Sequence, residues 1–61
     1  MGIRYFFKNE VIARKEVNDI LNLGYWAVSF KSGLPLGAAL GVECSELAEG
    51  ICESRYGSDL V

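Results

Sequence analysis

The sequence predicts a small two-layer α+β domain in the order β-α-β-α, completed by dimerisation, with an all-α helical hairpin as the competing arrangement. Three observations carry the prediction. An aromatic run near the start alternates with a period of two, a capped amphipathic segment follows it, and a second alternating run begins after a glycine. At 61 residues the chain is read as a single domain, residues 1–61.

The first element spans residues 3–8. Ile3, Tyr5 and Phe7 fall on one side of an extended chain, and Arg4, Phe6 and Lys8 on the other, which is the pattern of a half-buried strand. Asn9 then offers a side-chain oxygen to the first free amides of a helix, and Glu10 sits at the positive end of its dipole. Ala13, Val17, Ile20 and Leu21 recur at helical spacing, Glu10 and Arg14 form an i,i+4 pair on the solvent side, and Gly24 supplies a left-handed stop. The helix is expected over residues 10–23. From Tyr25 to Lys31 the chain alternates again, with Trp26, Val28 and Phe30 on one face and Ala27, Ser29 and Lys31 on the other. Strand, helix and strand in about thirty residues is the size of a βαβ unit.

The C-terminal half admits two readings. One is a long helix over residues 35–56. The other is a short helix to Leu40, a turn at Gly41 and a helix from Ser45, its cap, to Tyr56, with Gly57 as its stop. In both, Leu47, Ala48, Ile51 and Cys52 form the apolar stripe, and Glu46, Glu49 and Glu53 form a solvated acidic face. The last four residues, 58–61, are expected to fray.

Composition excludes several function classes. The chain is 51% hydrophobic and 23% charged, a globular balance. Its formal net charge of −2 opposes nonspecific nucleic-acid binding, which depends on phosphate neutralisation by Lys and Arg. Two cysteines and no histidine disfavour a structural zinc site and exclude a Ser-His or Cys-His nucleophile pair. On one continuous helix Cys44 and Cys52 would lie ~12 Å apart, beyond the ~7 Å reach of a disulfide, so both are expected as buried free thiols. No signal peptide or membrane span is legible, and the expected location is cytoplasmic.

The segment from Leu36 to Glu53 carries two resemblances. With Gly37, Gly41 and Leu47 at the small-residue, turn and hydrophobic positions, it resembles a helix-turn-helix, which implies a small regulator. Glu46, Glu49 and Glu53 would then face phosphate where cations or amides normally sit. With Ala39, Leu40, Glu43, Glu46, Leu47 and Glu49 in the places of a glutamate-rich helix, it resembles MazG-like nucleotide pyrophosphohydrolases. That resemblance implies a Mg-dependent hydrolase, with Glu43, Glu46 and Glu49 as candidate metal ligands.

The reading of the residues themselves is a non-enzymatic protein-interaction module that self-associates, with no cofactor and no nucleic-acid or membrane partner. Below roughly 70–80 residues a lone core supplies only about 3–5 kcal/mol, so small folds need a staple. Neither disulfide nor zinc is expected here. Aromatics lie on both faces of the first alternating run, and two helices can cover only one face of a sheet. Tyr5, Phe6, Phe7 and Trp26 are therefore the candidate interface of a homodimer, with a further protein partner also possible.

Overall fold

The structure is a computed structural model, described here for residues 2–31 and 37–61. The first alternating run forms strand β1, Gly2–Phe7. Helix α1, Glu10–Asn22, follows. Its start is set by Asn9, whose Oδ1 accepts from the Val11 and Ile12 amides at 2.8 and 3.4 Å. Its end is set by Gly24, at φ +90°. The Gly24 amide donates to the Leu21 carbonyl at 3.0 Å and the Tyr25 amide to the Ile20 carbonyl at 3.1 Å, the paired bonds of a Schellman termination. Strand β2 is short, Ala27–Phe30.

The C-terminal half departs from the long-helix reading, and from the two-helix reading, up to Ser45, after which the expected helical segment to Tyr56 is present. Leu40–Ser45 is a strand, β3, and it is the centre of the sheet. The α+β class expected from sequence holds and the all-α hairpin does not, but the order is β-α-β-β-α, a correction to the β-α-β-α order expected. The physical reason lies in the residues. Leu40, Val42 and Cys44 join the helix-covered core from alternate positions, a period of two that no helix satisfies. Gly37 takes φ +90°, and Gly41 would cost a helix about 1 kcal/mol relative to Ala. A single 3-10 turn, Glu46–Ala48, leads into helix α2, Glu49–Tyr56. Ser45 accepts from the Leu47 amide at 3.3 Å, as its capping role predicts. Gly57 is not a left-handed stop: it lies at φ −55° and opens a second 3-10 turn, Gly57–Asp59.

The sheet order is β1-β3-β2, with β3 antiparallel to both neighbours. β1 and β2 thus run parallel to each other but do not touch, which is a split βαβ arrangement. The C-terminal residues do not fray. Lys8 N donates to Asp59 O at 2.9 Å and Val61 N to Phe6 O at 2.8 Å, so the tail lies antiparallel against the outer edge of β1.

Both helices lie on one face of the sheet. There Tyr5, Phe7, Ala27, Leu40, Val42 and Cys44 pack against Ala13, Ile20, Ala48, Cys52 and Tyr56. Phe7 meets Tyr56 edge-on at 6.4 Å between centroids. The Tyr56 hydroxyl donates to Asp19 Oδ2 at 2.5 Å, which ties α2 to α1 and pushes the phenol up to about 12. The stripe expected on α2 is half inward: Ala48 and Cys52 are buried, whereas Leu47 is 79% exposed. Cys44 and Cys52 are free and buried, but they sit on a strand and a helix rather than on one helix. No helix among the described residues is long and apolar enough to cross a membrane.

Candidate interaction face

The face of the sheet away from the helices is built by the other set of alternating positions. β1 contributes Gly2, Arg4 and Phe6; β3 contributes Gly41, Glu43 and Ser45; the β2 side contributes Trp26, Val28 and Phe30. Register places Phe6 and Phe30 on either side of Gly41, and Arg4 and Val28 on either side of Glu43. Trp26 joins the array because its carbonyl accepts from the Ser45 amide at 2.9 Å.

Two glycines make this face what it is. A Cβ at Gly41 would collide with the Phe30 Cζ, Cε2 and Cε1 atoms. The far end of the ring therefore occupies the space over the central strand that a side chain at Gly41 would take, and the ring meets Phe6 edge-on, at 5.9 Å and 84°. A Cβ at Gly2 would come within 2.9 Å of the Trp26 ring and 2.8 Å of Glu43 Oε2, so the indole reaches across β3 to the first residue of β1. Glycine in a strand marks close approach, and here it seats two aromatics that originate on the opposite edge.

The charges on the face are balanced. Arg4 Nε lies 3.4 Å from Glu43 Oε1, and the Arg4 guanidinium sits 5.4 Å from the Phe30 centroid. With the Arg4 side chain 65% exposed, the ion pair itself contributes little, ~0–1 kcal/mol. Trp26 and Val28 are 49% and 43% exposed, and no described residue covers them.

Of the four residues expected at an interface, the structure brings Phe6 and Trp26 to this face and removes the other two. Phe7 is fully buried under the helices, and Tyr5 is 8% exposed with its hydroxyl donating to the Glu49 carbonyl at 3.3 Å. The residues that sequence reasoning missed are Val28, Phe30, Arg4 and Glu43. Their signal was parity: they share the even-numbered alternation of Phe6 or Trp26, or pair with it through β3.

The candidate metal ligands are not brought together. Glu43 is on the open sheet face, Glu46 is exposed on the turn, and Glu49 begins α2 on the helical side. Among the described residues no group of His, Cys, Asp and Glu side chains is placed to hold a metal ion. Leu40–Ser45 being a strand also separates Gly37, Gly41 and Leu47 from any helical pairing.

A second unforeseen group is Glu16, fully buried on α1 with neither carboxylate oxygen in an ordinary hydrogen bond. Burial raises its pKa. Asp19 adds to the shift, while the facing Cys52 thiol and Arg55 offset part of it. The same burial, with Glu16 beside it, raises the Cys52 thiol, and burial likewise raises Cys44. These thiols are therefore poor nucleophiles.

Fold and face together define a split-βαβ domain with one covered and one aromatic sheet surface. Compared with protein-family models, with curated proteins and with solved structures, the chain matches none.

Proposed function

We propose that this protein is a small interaction module that pairs with a second copy of itself through the open sheet face. The observation that supports this is the array of Phe6, Phe30, Val28 and Trp26, two of whose rings are seated over Gly41 and against Gly2, on the side that neither described helix covers. An isologous interface requires a self-complementary patch. This one carries one cation and one anion, Arg4 and Glu43, side by side, so a two-fold axis near them sets each Arg4 against the other copy's Glu43. Stacked sheets pack about 10 Å apart with interdigitating side chains, which is within reach of aromatics on both faces. A second copy also adds buried apolar area to the small core that one chain encloses. The buried thiols of Cys44 and Cys52 fit a reducing compartment, and we place the protein in the cytoplasm on that ground.

The test combines sedimentation equilibrium with the fluorescence of Trp26, the single tryptophan. The expected result is a dimer at tens of micromolar, with emission shifting to the blue as concentration rises. Phe6→Lys is expected to give a folded monomer with red-shifted emission at all concentrations. A wild-type chain that stays monomeric at hundreds of micromolar would overturn the proposal.

A further inference from the structure

We infer that the outer edge of β2, together with the hollow beneath it against α1, is a docking site for an extended segment of another protein, which adds as a fourth strand. The two edges of the sheet are not equivalent. Along β1 the outer edge is already engaged at Phe6–Lys8 by the C-terminal residues. β2 pairs with β3 on one side, and no described residue pairs with it on the other. The Trp26 carbonyl points to β3. By alternation the backbone N–H and C=O groups of Ala27 and Ser29 point outward, where an added strand finds its main-chain partners.

Beside this edge, on the helix side, lies a hollow of about 230 Å³ lined by Arg14, Val17, Asn18, Leu21 and Ser29. An apolar cavity of about 150 Å³ accepts a benzene-sized group, so this one has room for a leucine or phenylalanine side chain. A strand paired to β2 sends alternate side chains to the two faces of the sheet. The residue opposite Ser29 therefore enters the hollow, against Val17 and Leu21, and its neighbours lie beside Val28 and Trp26. Leu21, Trp26 and Val28 are 51%, 49% and 43% exposed, an apolar rim on both sides of an edge that no described residue pairs. The Arg14 guanidinium at the hollow's wall is paired with Glu10 at 2.7 Å, and Asn18 and Ser29 complete its polar side.

The same geometry argues against a second copy of β2 as the occupant. Paired antiparallel, it would present Ala27, Ser29 and Lys31 to the hollow, two side chains too small to fill it and one charged. The occupant is instead a strand with a large apolar residue flanked by β-formers. Main-chain bonds supply the affinity, and the hollow selects the side chain.

The probe is a capped nine-residue peptide alternating threonine and leucine with lysine at both ends, titrated into ¹⁵N-labelled Phe6→Lys protein. That variant keeps the sheet face from competing. Saturable shifts are expected at the Ala27 and Ser29 amides and along α1 at Val17–Leu21. Ser29→Pro removes an outward-pointing N–H without touching the β3 ladder and should weaken binding at least tenfold, as should Leu21→Lys at the exposed rim. An all-threonine peptide, which cannot fill the hollow, should bind at least fivefold more weakly. Absence of shifts at millimolar peptide, or shifts confined to Arg4, Phe30 and Glu43, would overturn the inference. Equal binding by wild-type and Ser29→Pro edges would overturn it as well.

Discussion

Glu16 is the residue whose chemistry most strongly opposes its place. A carboxyl that is fully buried, with only the weak Cys52 thiol facing it, is held toward its neutral form. Its folded-state pKa lies above the ordinary 4.5. Its contribution to stability is therefore complete below that value and is lost as pH rises through the folded pKa. Glu16→Met, apolar and similar in length, removes the titration. Chemical denaturation from pH 4 to 9 should show the wild type losing stability with rising pH relative to the variant, with the variant the more stable at pH 8. If the two curves run parallel, Glu16 is not held neutral in the folded protein.

Gly41 is the second informative residue, because its role is to be absent under a ring. Gly41→Ala puts a methyl group where Phe30 lies and should destabilise the fold by about 1–3 kcal/mol, the usual cost of overpacking. The loss should shrink when Phe30→Ala is made in the same chain, since the clash disappears with the ring. An additive double mutant would mean that Phe30 does not rest on Gly41.

Among the elements, legibility followed the strength of local signals. α1 could be bounded to within a residue because Asn9 and Gly24 act through their own backbone and side-chain geometry. β1 and the core of β2 followed from aromatic alternation. β3 was obscured by its surroundings. The glutamates of residues 43–53 read as one helical face, and the period of two in Leu40, Val42 and Cys44 spans only three inward positions. Gly37 and Gly41 argued against a helix, but their use, a turn and a seat for a ring, depends on residues distant in sequence. The same dependence hid half of the candidate face: Phe6 and Trp26 were legible as aromatics on a strand, whereas Val28, Phe30, Arg4 and Glu43 become neighbours only once β3 lies between β1 and β2. Glu16 was signalled only by its spacing: it falls three residues after Ala13 and four before Ile20, on the buried face, although a charged residue on a helix is ordinarily solvent-facing.

The central position of β3 has a direct dynamic consequence. A strand paired on both sides and covered by two helices opens only when the whole domain opens. Native-state hydrogen exchange should find the slowest amides at Leu40–Ser45 and in the part of β1 paired with it. Slow exchange confined to α1, with residues 40–45 exchanging like an edge, would contradict the sheet order.

At the scale of the whole molecule, the aromatic inventory is divided between two surfaces of one sheet. Tyr5, Phe7, Tyr25 and Tyr56 serve the helix-covered core, and Phe6, Trp26 and Phe30 the open side. The two sets respond differently to a buried charge. Phe7→Lys should leave no folded protein, since Phe7 is fully buried within the monomer. Phe6→Lys should leave the monomer folded and remove its partner.

The proposed sheet-to-sheet pairing is tested most directly by isotope-filtered NMR on an equal mixture of ¹³C-labelled and unlabelled protein. Contacts between copies should run from the rings of Phe6, Trp26 and Phe30 to the Val28 methyls and the Arg4 side chain. Contacts arising only from α1 or α2, or none at concentrations where sedimentation shows a dimer, would contradict it.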